Sequence, residues 1–143
     1  MPKKEAAGHW LFKTEPSTFS FEDLEAKKNG DVWDGVKNAL ALKHLAQVRR
    51  GDEILIYHTG DEKAIVGVAR AVRDPYPDPK QDDPKLLVVD VQAVRRLPFP
   101  VALSVLKKEP RYAEFDLVRL PRLSVMPVPG GLWKDILGRG GLT

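Results

Sequence analysis

The stretch from residue 53 to residue 73 constrains the fold of this chain more than any other. Glu53 to His58 is rich in aliphatic and aromatic residues, which is typical of a β-strand, and a polar turn follows at 59–63. Ala64 to Arg73 then has the composition of a partner strand. Two strands joined by so short a turn pair antiparallel, so we predict a β-hairpin here.

Three more strands and four short helices are predicted around this hairpin. The strands are expected near 9–14, 86–96 and 122–128, and Pro98 and Pro100 are expected to interrupt the chain after the second of these. The helices are expected near 21–28, after a capping box of Ser20 and Asp23, and near 38–48, 102–108 and 132–137. Residues 109–121 are ambiguous. Because no complete βαβ unit is present, the pattern favours an α+β fold: a small mixed, mostly antiparallel β-barrel with short helices covering its openings.

Length and composition exclude several classes of protein. The 143 residues fit one domain, expected over 9–143 behind a flexible N-terminus of residues 1–8. The absence of cysteine excludes disulfides, thiolate metal sites and cysteine nucleophiles. The three histidines show no ligand spacing, so neither a metal nor another cofactor is expected. No apolar run is long enough to span a membrane, and the first residues lack the apolar core of a signal peptide. We therefore expect an intracellular, cytoplasmic protein without a membrane partner, and a monomer.

Basic residues permit a nucleic-acid partner without requiring one. The formal net charge is +3, which is only mildly basic. Pairs such as Arg49-Arg50 could line a phosphate track if they share a face. Paired basic residues at the ends of elements are also ordinary solubility features, so the signal is weak by itself.

The hexapeptide from Trp33 to Asn38 is the most informative motif. Trp33 next to Asp34 and Gly35 is expected in a turn rather than on a regular element. An indole beside a carboxylate, free backbone amides and a side-chain amide suits the binding of a flat heterocycle, because the ring stacks while polar groups contact its edge. The alternative, that Trp33 is a core anchor and Asp34 a turn residue, is the more common situation and stays open at this point.

Two strand ends carry further candidates. Lys13, Thr14 and Glu15 close the first strand, where they could line the rim of a pocket or simply be solvated. Strand alternation places Tyr57 and His58 on opposite faces, one towards the core and the other outwards or over a pocket. No nucleophile elbow or glycine-rich phosphate cradle is present. The proline- and aspartate-rich stretch 74–85 is predicted to be a stiff surface loop.

Seven segments, in order, resemble the EVE domain family of the PUA-like superfamily. The resemblance covers about residues 10–128. The segments are Trp10 to Pro16, Phe19 to Leu24, Trp33 to Asn38, Gly51-Asp52, Tyr57 to Thr59, Ala71 to Asp78 with Val89 to Val91, and Arg122 to Val128. One hexapeptide could match by chance, but an ordered series of this kind is specific.

The resemblance implies a PUA-like barrel with a small pocket, similar to the YTH domain, which binds a methylated base in an aromatic cage. EVE domains are regarded as readers of modified bases. By position, the resemblance assigns the base-binding pocket to Lys13, Thr14, Glu15, Trp33, Asp34, Asn38, Tyr57, His58 and Ser124. The backbone near Gly35 and Val36 is expected to complete this pocket, and phosphate contacts are expected from Lys13, Lys37, Arg49 and Arg50. The family's helix after the tryptophan often runs Asn-Tyr-Gln-Ala-Arg-Asn. Here the segment from Asn38 to Lys43 lacks that tyrosine and that arginine.

These observations lead to a non-enzymatic module that binds a modified, methylated base in DNA or RNA. Trp33 is expected to stack on the base and Asn38 to contact its edge, with both lining one concavity together with His58. Two alternatives are kept. One is an enzyme acting on a nucleotide or nucleic acid, with Glu15 and His58 as acid and base. The other is a protein-interaction adaptor that uses the stretch 74–85 as its contact surface.

Overall fold

The computed structural model of the protein describes residues 8–142. Seven strands and five short α-helices alternate irregularly along this part of the chain. In chain order the elements are β1 His9–Thr14, α1 Phe21–Glu25, β2 Asp31–Trp33, α2 Ala39–Leu45, β3 Glu53–His58, β4 Ala64–Ala71, β5 Tyr76–Pro77, β6 Leu87–Ala102, α3 Leu103–Lys107, a 3₁₀ turn Pro110–Tyr112, α4 Asp116–Arg119, β7 Val125–Pro127 and α5 Gly130–Arg139.

The strands form one mixed sheet in the order β2-β6-β4-β3-β1-β7, and β5 pairs with β6. Within the described residues β1 and β3 are the one parallel pair, in register from His9 opposite Glu53 to Thr14 opposite His58. The remaining pairs are antiparallel, including the β3–β4 hairpin. The sheet curls into a half-barrel with short helices against it, so the predicted mixed, mostly antiparallel fold is confirmed.

The core is built around β1 and β3, which lie beside each other in the middle of the sheet. Leu11 and Phe12 of β1 are completely buried, as are Ile54 to Ile56 of β3. The buried Asp52 ties the start of both strands together. Its carboxylate accepts hydrogen bonds from the Gly8 N–H and the Trp10 indole N–H, each at 2.9 Å. The carboxyl ends of β1 and β3 therefore project together towards the same end of the sheet.

Several predicted boundaries are wrong because local signals were overridden by packing. Helices expected over 21–28 and 38–48 are shorter, Phe21–Glu25 and Ala39–Leu45, and the strand expected over 122–128 is Val125–Pro127. Trp33 was expected in a turn but ends strand β2, where it pairs with Val89 of β6. Pairing with β6 makes Trp33 part of a strand, and the hexapeptide sequence alone does not indicate this pairing.

The prolines of β6 do not interrupt it, contrary to the prediction. Pairing with β4 shifts register between Ile65 and Gly67, so that four residues of β6, 97–100, bulge opposite a single residue of β4. Pro98 and Pro100 fall in this bulge. A proline lacks the N–H that a regular ladder needs, and a bulge is one of the positions where this costs little.

Of the flexible N-terminus predicted for residues 1–8, residues 1–7 lie outside the described residues. Gly8 is described, and its hydrogen bond to Asp52 fixes it to the sheet. Within residues 8–142, none of the helices is long and apolar enough to cross a membrane.

Candidate binding site

A cavity of about 570 Å³ opens where β1 ends, and we call it the main cavity. Four segments form its walls: the end of β1, the turn that follows it, strand β2 with the next loop, and the strap around β5. The lining residues are Lys13, Thr14, Thr18, Phe19, Asp31, Val32, Trp33, Asp34, Gly35, Tyr76, Asp78, Pro79 and Lys80. Its volume lies in the range typical of small-ligand sites.

Trp33 forms the floor of the main cavity and is at the same time part of the core. Its indole packs against Phe12 at 5.4 Å between ring centroids, and against Phe19 at 6.1 Å in an edge-to-face arrangement. Only 7% of Trp33 is exposed. The core-anchor interpretation therefore describes most of this side chain, and only a small part of it is accessible to a ligand.

Tyr76 supplies an aromatic wall that sequence reasoning missed. Its hydroxyl donates to the Asp90 carboxylate at 2.6 Å, and the Arg73 guanidinium lies 3.9 Å from the centre of its ring. The hydrogen bond to Asp90, followed by burial, raises the pKa of Tyr76 above its ordinary value. The stretch 74–85 is thus more than a surface loop, since part of it lines the main cavity.

The turn after β1 is held against the main cavity by defined hydrogen bonds. The Thr14 hydroxyl donates to the Phe19 carbonyl at 2.6 Å, and the Glu15 carbonyl accepts from the N–H groups of Thr18 and Phe19 at 2.9 Å each. Phe21, the first residue of α1, places its ring over Gly67 of β4. A Cβ at Gly67 would come within 2.5 Å of this ring. Glycine at this position lets α1 lie close to the sheet.

Charged groups of both signs surround the aromatic floor. Three carboxylates, Asp31, Asp34 and Asp78, line the main cavity together with Lys13 and Lys80. Burial lowers the pKa of Lys13, and its ammonium donates to the Pro121 carbonyl at 2.8 Å. Carboxylates accept hydrogen bonds from ligand N–H groups, so the main cavity suits a flat ring that carries donors on its edge.

The loop after β2 presents backbone to the main cavity. Gly35 has a φ of +78°, a conformation that glycine adopts without strain, and a Cβ there would meet no neighbour. The N–H groups of Gly35 and Val36 have no hydrogen-bond acceptor among residues 8–142. Val36 itself is buried and does not line the main cavity. A ligand would therefore contact this loop through the Asp34 side chain and the Gly35 backbone.

Asn38 does not line the main cavity, contrary to the prediction. It is the N-cap of α2, where its side-chain oxygen accepts from the Ala41 N–H at 3.0 Å. Its remaining surface borders a separate groove beside Pro121 and Arg122. An asparagine before a helix is a strong capping residue, and that local role explains its position.

His58 is also separate from the main cavity, so the expected concavity shared with Trp33 and Asn38 is wrong. Its Nε2 accepts from the Phe21 N–H at 3.0 Å and its Nδ1 lies 2.7 Å from the Glu62 carboxylate. These contacts need a neutral ring with the proton on Nδ1. His58 borders another concavity, of about 450 Å³, with Glu22 and Arg96 among its lining residues. It serves to join α1 to β3.

The last two residues of β3, Tyr57 and His58, are both buried, at 3% and 8% exposed. The register shift between Ile56 and Tyr57 leaves Val66 of β4 unpaired, whereas β3 continues in regular register with β1. The Lys13 ammonium lies 5.6 Å from the centre of the Tyr57 ring. Burial raises the pKa of the Tyr57 hydroxyl. Tyr57 therefore packs near the Lys13 ammonium, and it is not among the residues that line the main cavity.

The other predicted residues lie around these sites. Glu15 is exposed, and its carboxylate accepts from the Ser17 N–H at 3.1 Å, while the Ser124 carbonyl accepts from the Lys13 N–H at 3.0 Å. Neither lines the main cavity. The Arg49 guanidinium donates to the carbonyls of Ala46 and Val48 at the end of α2. Lys37 and Arg50 are exposed.

Comparisons of sequence and of structure with known proteins indicate the same family. The model of the EVE domain family matches residues 8–139. Human thymocyte nuclear protein 1 is 35% identical over 73% of this chain and 57% of its own length, so the chain covers little more than half of such relatives. The NMR structure of a Rhodopseudomonas palustris protein is 41% identical, with a TM-score of 0.89 over 94% of each chain. The crystal structure of human THYN1 protein in complex with 5-methylcytosine-containing DNA is 30% identical, with a TM-score of 0.86 over 96% of this chain and 99% of that one.

Proposed function

The chain belongs to the EVE domain family, and on that premise we propose that it is a nucleic-acid-binding module that holds one modified base in the main cavity. The observation that carries this proposal is a cavity of about 570 Å³ with aromatic walls and a charged rim. DNA is the first partner to test, because the human THYN1 structure contains DNA with 5-methylcytosine.

The walls and the rim of the main cavity have different roles in this proposal. Phe19 and Tyr76 offer apolar ring surface to the base, and the accessible edge of Trp33 closes the floor. The carboxylates of the rim accept hydrogen bonds from the amino group of the base. A base cannot reach such a cavity while stacked in a duplex, so it is bound extruded or unpaired.

Binding rather than turnover is favoured by where the candidate acid and base lie. Glu15 and His58 do not line the main cavity, and both ring nitrogens of His58 are engaged by Phe21 and Glu62. The adaptor alternative relied on the stretch 74–85 as a free surface. Four residues of that stretch, Tyr76 and Asp78 to Lys80, form a wall of the main cavity instead.

The test is a titration of labelled single-stranded oligonucleotides that carry one 5-methylcytosine or one cytosine. Tyr76→Ala removes a ring whose stacking is worth ~1–3 kcal/mol, so affinity should fall between about 5-fold and about 150-fold. Tyr76→Phe keeps the ring and should stay close to the wild-type affinity. Burial of the methyl group is worth about 0.8 kcal/mol, so the wild type should prefer the methylated strand by about fourfold.

Two outcomes would contradict the proposal. If the wild-type protein binds neither oligonucleotide, nucleic acid is not its partner. If Tyr76→Ala and Tyr76→Phe bind both oligonucleotides as the wild type does, the main cavity is not where the base is held.

A further inference from the structure

A second concavity adjoins the main cavity and differs from it in chemistry. It is a groove of about 330 Å³ lined by Asn38, Leu40, Leu120, Pro121, Arg122 and Leu123, and we call it the Leu40 groove. Most of this lining is aliphatic and its one charged side chain is a cation, Arg122. The main cavity is lined by three carboxylates and two lysines.

Two connections show that the Leu40 groove and the main cavity are neighbours. Lys13 lines the main cavity, and its ammonium donates to the carbonyl of Pro121 in the groove at 2.8 Å. The loop after β2 begins at the main cavity with Asp34 and Gly35 and reaches the groove at Asn38. A nucleic acid with one nucleotide in the main cavity would therefore have its neighbouring nucleotides at the Leu40 groove.

Leu40 lies in the groove without contributing to the core. It is 41% exposed, whereas Ala41 and Leu45 of the same helix are completely buried. Exposed leucine beside a cavity for an extruded base resembles the apolar wedges that insert between base pairs. Arg122 in the groove and the exposed Lys37 on the connecting loop provide positive charge for the flanking phosphates.

From this juxtaposition we propose that Leu40 is a wedge: it enters the base stack of a duplex at the gap left when a base moves into the main cavity. Arg122 contacts a phosphate beside that gap. The inference rests on the proposed function, and it adds that the partner is double-stranded where the base is taken up. Extrusion leaves an unstacked gap, and an aliphatic side chain that fills it recovers part of the lost stacking.

The experiment compares one duplex containing a single 5-methylcytosine with the methylated strand alone, each titrated by fluorescence anisotropy. Leu40→Ala should bind the duplex about 10-fold more weakly, because unstacking is no longer compensated, and should bind the single strand within about twofold of wild type. Leu40→Met should restore duplex affinity. Val105→Ala is the matched control, since Val105 is an aliphatic residue of α3 with 45% exposure.

A second readout follows the base stack directly. With 2-aminopurine next to the methylated cytosine, the wild-type protein should raise the fluorescence of the duplex as the neighbouring base leaves the stack. Leu40→Ala should raise it less at saturating protein. Because Leu40 is exposed, the unfolding midpoint of this variant should match that of the wild type.

Each remaining outcome is decisive. Equal weakening of duplex and single strand by Leu40→Ala, or no weakening of either, overturns the wedge. Wild-type binding to the single strand alone also overturns the wedge but leaves the proposed function intact. If the wild type binds neither form, both proposals fail.

Discussion

At the scale of single residues, Trp33 shows how one side chain serves folding and binding together. Its ring is in contact with Phe12 and Phe19 and is 93% removed from solvent, and its remaining edge closes the main cavity. A tryptophan in this position cannot be removed to test binding without disturbing the fold. Tyr76, which is less buried, is the better probe of the site.

Trp33→Ala is therefore expected to destabilise the whole domain. Replacing a buried large aromatic residue by alanine typically costs 3–5 kcal/mol, roughly, which is a large part of the stability of a small domain. Trp33→Phe keeps an aromatic ring against Phe12 and should lose clearly less. Urea denaturation followed by circular dichroism measures both. Near-equal midpoints for Trp33→Ala and the wild type would show that this ring is not the anchor that its burial indicates.

The sequence predicted part of the site residue by residue. Lys13, Thr14, Trp33, Asp34 and Gly35 were all named from motifs, and the structure brings them to one cavity; their role in binding stays a prediction. Asn38 and His58 lie outside the main cavity, because each is engaged in hydrogen bonds that depend on the folded backbone. Tyr76 could not be found because its contact with the main cavity depends on pairing between β5 and β6.

At the scale of elements, specific polar contacts as well as apolar packing join the helical segments to one another. The final helix, α5, is joined to the 3₁₀ turn through Asp135. The Asp135 carboxylate accepts from the Tyr112 hydroxyl at 2.6 Å and from Arg139 at 2.7 Å. The hydrogen bond from Arg139, then that from Tyr112, holds the pKa of Asp135 below its ordinary value.

This contact predicts a defined pH dependence of stability. Because the folded pKa of Asp135 is depressed, its contribution is fully present above the unfolded pKa of about 3.9 and is lost as pH falls through the lower folded value. Asp135→Asn should be less stable than the wild type near neutral pH, and the difference should shrink on acidification. Urea midpoints of both proteins between about pH 7 and about pH 2.5 measure this. A difference that stays constant over this range would contradict the assignment.

Element types were predicted better than element ends. The capping box at Ser20 and Asp23 is present, and it starts α1 where the pattern indicated. The end of α1, by contrast, is set by the turn that leads into β2, where the Gly30 N–H bonds to Lys27 and β2 pairs with β6. Strand pairing between residues far apart in the chain cannot be predicted from a short stretch of sequence. For the same reason the sequence did not predict that a bulge of β6 accommodates Pro98 and Pro100.

At the scale of the whole molecule, acidic and basic residues nearly balance, and several arginines form local ion pairs. The formal net charge is only +3. Arg96 pairs with Glu25, Arg119 with Asp116, and Arg139 with both Asp135 and Glu109. Four cations close to the proposed site have no ion pair among the described residues: Lys13, Lys37, Lys80 and Arg122. The Lys13 ammonium already donates to the Pro121 carbonyl, which leaves three for phosphates. The molecule should therefore contact few phosphates and rely on the main cavity for much of its affinity.

The dependence of binding on salt follows from this distribution. With about three phosphate contacts, the logarithm of the duplex affinity should fall with the logarithm of salt concentration at a slope of about −2.7. Arg122→Gln should make the slope shallower by about one unit. Lys134→Gln is the control, because Lys134 lies far from the main cavity. It is on α5, which packs against the start of β1 through a stack of Trp133 on His9 with 4.3 Å between ring centroids. The main cavity lies at the other end of β1. Titrations between about 50 mM and about 200 mM salt measure all three slopes. If the two variants change the slope equally, Arg122 does not contact phosphate as the charge distribution indicates. If binding is insensitive to salt, phosphate contacts do not contribute to it, and a protein partner becomes the better explanation.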